Sequence, residues 1–140
     1  MKSEFTVIMN SDSENESFAR VAVAAFISRL NPTLEEINDI KTAVSEAVTN
    51  AIIHGYSNKN GKIYLTCKII EHEIIIQIKD YGFGIDDIKK AMQPLYTSKP
   101  NMERSGIGFT VMETFMDKIL VESKKDQGTT VTMTKNIMAS

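Results

Sequence analysis

The sequence predicts an α+β two-layer sandwich, with helices on one face of a mostly antiparallel, mixed sheet. Three observations carry that expectation. Apolar residues recur at helical spacing between residues 14 and 51, and the period then changes to two between residues 62 and 80. The elements run strand, two helices, two strands, a short helix with a loop, one helix, two strands. The 140 residues show no repeat, low-complexity tract or linker-like stretch, so one domain spans residues 1–140.

Phe5, Val7 and Met9 alternate with polar neighbours and predict the first strand. Ser13 with Glu16 has the form of a capping box opening a helix over residues 14–30, which stops at Asn31-Pro32. Thr33 with Glu36 is a second capping box. The helix it starts carries Leu34, Ile37, Ile40, Val44, Ala47, Val48 and Ala51 at helical spacing, with Gly55 as its stop. Ile63, Leu65, Cys67 and Ile69 form one face of a strand, and Ile74, Ile76 and Ile78 one face of the next, with Glu71-His72 turning the hairpin. Residues 86–92 predict a short helix, and residues 94–104 a long loop. A helix over 107–117 follows, then strands near 118–123 and 129–135 around Asp126-Gln127-Gly128.

The composition, 42% hydrophobic and 24% charged, is that of a globular chain. A net charge of −2 gives no electrostatic reason to expect nucleic acid or an anionic membrane as partner. No apolar run approaches the roughly 18–20 residues of a membrane-spanning helix. The first residues carry no signal-peptide core, so the expected location is the cytoplasm. The lone Cys67 lies in an apolar alternating run and reads as a buried, inert thiol.

Asp80 continues the even-numbered series of Ile74, Ile76 and Ile78, so it should face inward with them. An inward carboxylate is costly unless something hydrogen-bonds it, and an adenine amino group is one partner that would. The following Gly82 and Gly84 let the chain turn tightly and leave room for a flat ligand. Taken alone, the same pattern is also that of a strand-ending Asp in a glycine-rich turn. Ser105-Gly106-Ile107-Gly108-Phe109 enters a helix with two glycines, an arrangement that aims N–H groups at an anion, or an ordinary loop end. Glu46, Asn50 and His54 follow one another at four-residue intervals along one helix flank. Glu46 and Asn50 lie off the apolar stripe, as a solvated flank would, but a general base and a magnesium-holding amide need the same spacing. His54 sits nearer the apolar side, where helix-end packing is its plainer use. Thr129 shares parity with Val131 and Met133, so its hydroxyl could reach the spot that Asp80 faces; a threonine is also at home in any strand.

In this order and at these spacings, S-E-A-V-T-N-A-I-I-H (45–54), D-Y-G-F-G (80–84), P-L-Y-T-S-K-P (94–100) and S-G-I-G-F (105–109) resemble the nucleotide-binding boxes of the GHKL ATPases, the superfamily of DNA gyrase and the histidine kinases. With N-E-S-F-A-R-V (15–21) and the compact length, the chain is similar to the anti-sigma factors of endospore-forming bacteria, which are serine kinases and sigma-factor inhibitors. The resemblance implies ATP and magnesium as cofactors, ADP as product, and a role for each matching residue. Glu46 would be the general base, Asn50 would hold magnesium, and His54 would lie within the nucleotide box. Asp80 would bond the adenine amino group between Gly82 and Gly84. Gly106 and Gly108 would bind phosphates, with Ser105, Ile107 and Phe109 around them. Residues 94–105 would form a lid in which Lys99 and Arg104 contact phosphate. Thr129 would back Asp80, with Thr130 its neighbour. Tyr81 stands where many relatives have Asn, and Ser105 and Phe109 where histidine kinases have Gly and Leu; neither of the latter two removes a main-chain donor.

His54 and His72 are the two histidines, and neither lies on a dimerising hairpin, so transfer to a serine or threonine of a partner is expected. The resemblance implies as partners a sigma factor, an anti-anti-sigma protein phosphorylated on serine, and a second copy of the chain. On the first helix, Val23, Phe26, Ile27 and Leu30 make one apolar side and Phe18, Val21 and Ala25 another. One stripe suffices to pack the helix, so the second, with Arg20 beside it, is either a partner surface or covered by nearby loops. An ATP-gated binding module without kinase turnover, and a histidine-kinase catalytic fragment, are the other readings.

Overall fold

A computed structural model describes residues 2–85 and 108–138. The expected short helix over 86–92 and the loop over 94–104 lie outside the described residues. Five strands form one sheet: β1 (Lys2–Asn10), β2 (Lys62–Ile70), β3 (Glu73–Asp80), β4 (Lys118–Lys124) and β5 (Gly128–Asn136). Their order is β1-β2-β3-β5-β4, and all four pairings are antiparallel. The mostly antiparallel sheet is therefore as expected; no parallel pairing occurs among the described residues.

Helices α1 (Glu14–Ile27), α2 (Leu34–Asn50) and α3 (Gly108–Phe115) supply the second layer. Val23, Ile27, Ile40, Val44 and Met112 from the helices meet Ile63, Leu65, Ile74, Ile76 and Met133 from the sheet in one buried core. Each such side chain stabilises the fold by roughly 1.5–3 kcal/mol, which makes the helix-facing side of the sheet the apolar one. The other side carries polar cross-strand pairs, Thr6 with Thr66 at 3.0 Å and Gln77 with Thr132 at 3.5 Å. That division is usual for an antiparallel sheet with one solvated face. Cys67 is buried, and desolvation pushes its thiol up to about 12, as an inert core residue requires.

The two capping boxes part ways. At Thr33 both bonds form: Glu36 N–H donates to Thr33 Oγ1 at 3.0 Å, and Thr33 N–H to Glu36 Oε1 at 2.8 Å. At Ser13 neither does, a correction to the expectation. Ser13 is itself helical (φ −58°, ψ −27°), so its side chain points away from the first N–H groups. Main-chain carbonyls serve them instead, Asp12 O for Asn15 and Ser13 O for Glu16.

Two other boundaries shift. The first helix closes at Ile27 and continues as a tighter turn, Ser28–Leu30, before Asn31 in the left-handed region (φ 51°). Leu34, counted on the apolar stripe of α2, is 79% exposed, because it precedes the first turn that touches the sheet layer. Beyond Asn50 the helix widens into a π turn, Ala51–Gly55, closed by Tyr56 N–H to Ala51 O at 3.0 Å.

Candidate functional site

The inward turn of Asp80 follows from strand parity. It ends β3 opposite Ile63 of β2 and Thr129 of β5, and is 3% exposed. Burial pushes its carboxyl up to about 6, while hydrogen bonds from the main chain of Gly82 and Thr129 pull the other way. The Gly82 N–H reaches Oδ1 at 2.9 Å. On another side lies Gly55: a Cβ there would sit 2.8–2.9 Å from the carboxylate atoms. The π turn at the end of α2 thus carries glycine main chain directly against the acid.

The loop after Asp80 is stitched to its surroundings through main chain. Phe83 N–H donates to Gly55 O at 2.8 Å, and a Cβ on Gly82 would lie 1.8 Å from that same carbonyl. Gly84, at φ 77°, places its Cα so close to Lys124 O that a Cβ would approach to 2.2 Å. The glycine main chain here packs directly against the protein's own carbonyls, Gly55 O at Gly82 and Lys124 O at Gly84, so neither position has space for a side chain. Tyr81 N–H donates to Tyr56 Oη at 2.8 Å, and that hydroxyl donates to Lys62 O at 2.6 Å. Tyr56 therefore ties the helix end, β2 and the loop together. Sequence reasoning missed it, although a tyrosine next to the helix-stopping glycine was visible.

Glu46 does not lie on a solvated flank. It is 5% exposed, one helical turn before Asn50, and a Cβ on Gly108 would be 3.5 Å from its Oε2. The first turn of α3 thus meets the Glu46 carboxylate. Asn50 and His54 are half-buried, on α2 and in the π turn respectively. Phe109 is buried in the core, so any part it plays towards a ligand is through its main chain. Thr129 is buried, with its hydroxyl 2.8 Å from Ser123 Oγ. Thr130 pairs with Lys79 and so sends its side chain to the opposite face of the sheet from Asp80. Lys99, Arg104, Ser105, Gly106 and Ile107 lie outside the described residues. Ser123 was also missed. A hydroxyl in the odd-numbered series of Ile119 and Val121, the inward side of β4, was the available signal.

A profile of the histidine kinase-like ATPase domain matches residues 9–135. The chain is 60% identical over 138 residues to a Clostridium novyi protein named anti-sigma F factor, covering 98% of this chain and 94% of the relative. The anti-sigma F factor of Bacillus velezensis is 51% identical over 141 residues, covering 100% and 97%. The chain belongs to the anti-sigma F factor family. A crystal structure of the RsbU and RsbW domains of a Mycobacterium tuberculosis protein shares the fold, with TM-score 0.69 and 16% identity over 96% of this chain and 32% of that one. The catalytic domain of the histidine kinase ThkA does so with TM-score 0.59 and 19% identity, over 98% and 96%. An anti-sigma F factor with this histidine kinase-like ATPase fold has a nucleotide-binding architecture.

Within this family member, no cluster of three or more His, Cys, Asp or Glu fit to hold a metal occurs among the described residues. Asn50 offers an amide oxygen at the half-buried end of α2. That donor set suits magnesium, which keeps several waters and takes most of its other oxygens from phosphates. Arg20 lies on α1 rather than on the elements around Asp80, 3.5 Å from Glu16 Oε1 and 3.3 Å from Ser17 Oγ. No helix among the described residues is long and apolar enough to cross a membrane.

Proposed function

We propose that this protein is an ATP-dependent serine kinase and anti-sigma factor of the cytoplasm. It binds magnesium-ATP at Asp80, holds a sigma factor inactive as a homodimer, and phosphorylates a serine of an anti-anti-sigma protein. The observation that carries this reading is the pairing of two buried carboxylates with different surroundings. Asp80 sits against glycine main chain at the end of β3, and Glu46 sits at the first turn of α3. The first suits the donor edge of a base. The second suits a proton acceptor placed where a helix start attracts phosphate.

In the proposed step the serine oxygen attacks the γ-phosphorus. The new O–P bond forms as the bond to the β,γ-bridging oxygen breaks, and ADP leaves with that electron pair. The serine proton passes to Glu46. By the family resemblance, Asn50 would hold magnesium, which would offset phosphate charge, and Gly106, Gly108, Lys99 and Arg104 would be the phosphate-binding residues. Relatives named anti-sigma F factor support the sigma-factor partner.

The deciding experiment is transfer of labelled phosphate from ATP to a purified anti-anti-sigma protein. Glu46→Gln is expected to slow transfer at least about 100-fold, the usual worth of a general base, with nucleotide affinity changed less than about twofold. Transfer at the wild-type rate would remove Glu46 from the chemistry. A wild type that binds ATP and leaves no acid-stable phosphoserine would be an ATP-gated binding module instead.

A further inference from the structure

Ser123 stands in register with Thr129 across the β4–β5 pair, on the inward face of the sheet. Its hydroxyl has one proton and two lone pairs. Three groups lie within hydrogen-bonding distance: Ile85 N–H at 2.7 Å, the Gly128 carbonyl at 3.0 Å and the Thr129 hydroxyl at 2.8 Å. An amide N–H can only donate and a carbonyl can only accept. One assignment makes all three bonds. Ile85 donates to Ser123, Ser123 donates to Gly128 O, and Thr129 donates its own proton to the remaining lone pair of Ser123.

The Thr129 proton is thereby committed away from Asp80, and what is left on Thr129 Oγ1 is acceptor capacity. Thr129 is also the register partner of Asp80 on β5, so the two buried side chains share one side of the sheet. At a pH where Asp80 is ionised, its carboxylate too can only accept. The wall these residues make holds hydrogen-bond acceptors and no side-chain donor.

We infer that Ser123 sets the base preference of the nucleotide site: by holding the Thr129 proton it keeps this wall acceptor-only, which suits a 6-amino purine and opposes a 6-oxo purine. The inference rests on the reading that the Asp80 pocket takes the base of ATP. Ser123 acts through Thr129 and is a positioning residue. Without Ser123, the Thr129 hydroxyl is free to turn and donate to a 6-oxo group.

The test is the ratio of dissociation constants for inosine triphosphate and ATP, both with magnesium, by calorimetry at pH 8. Ser123→Ala is expected to lower the ITP-to-ATP ratio at least about tenfold. Ser123→Thr, which restores the oxygen, should keep the wild-type ratio. A purely structural role would weaken both nucleotides together, and an unchanged ratio in Ser123→Ala overturns the inference. A measurement on the wild type does not depend on how the variant folds: purine riboside triphosphate, with hydrogen at the 6-position, should bind more tightly than ITP. Equal or tighter binding of ITP would reveal a donor in the wall and overturn the inference too. Failure of the parent reading looks different, since the wild type would then bind no ATP; that result removes the base pocket and this inference with it.

Discussion

Burial of Asp80 among Ile63, Ile78 and Thr129 has a cost that depends on pH. An acid whose folded pKa is raised favours its protonated form, so the penalty is absent below its ordinary value near 4 and complete above about 6. That rise corresponds to roughly 3 kcal/mol lost by the nucleotide-free fold as pH climbs through this window. Asp80→Asn, neutral and of the same shape, should therefore raise the melting temperature of the nucleotide-free protein more at pH 8 than at pH 4.5. The same change places an amide donor where the base must donate, and should weaken ATP binding at least about tenfold. Melting curves across pH, with titration calorimetry at pH 8, check both halves. The inward direction of Asp80 was legible because it needs only strand parity. The burial of Glu46 was not, since it depends on α3 packing against α2, a contact between residues far apart in sequence.

Two similar four-residue patterns show where local reading of elements reaches its limit. Ser13 with Glu16 and Thr33 with Glu36 have the same form, yet the cap develops only where the residue ahead of the helix is extended (Thr33, φ −70°, ψ 163°). How the chain arrives from β1 decides the other case, with Asn15 Nδ2 held on Asn10 O at 2.7 Å. Thr33→Ala should cost about 1 kcal/mol in denaturant unfolding, and Ser13→Ala close to nothing. The π turn was invisible for a different reason: one wider turn leaves no mark on apolar periodicity. Its effect is specific, because it sets Gly55 O against Gly82 and Phe83. Gly82→Ala should lower the melting temperature and abolish ATP binding together, as judged by thermal shift with and without magnesium-ATP.

For the whole molecule, element order and the inward faces of the strands were readable from the period of apolar residues. The placement of β5 between β3 and β4 was not, because which strand of the last hairpin pairs with the free edge of β3 is a long-range choice that the apolar period does not encode. The second apolar stripe on α1 was legible too, and it stays uncovered: Phe18 is 49% and Val21 62% exposed, beside Arg20. We expect Phe18→Glu to leave ATP binding intact while weakening self-association or capture of a sigma factor, read by light scattering and by pull-down. Unaltered assembly in both measurements would move the partner surface elsewhere.

The β4–β5 hairpin grips the loop after Asp80 from the far end of the chain, through Lys124 O at Gly84, Ser123 at Ile85 and the Asp126 N–H to Phe83 O. In chain order these two strands follow α1 to α3 and β1 to β3. A chain in which they have not yet paired holds the helical layer and three strands but lacks one wall of the Asp80 site, and long-range strand pairing is slow to close. Under the proposed ATP reading, nucleotide capture should therefore appear only once this hairpin docks, so that partly folded copies stay silent.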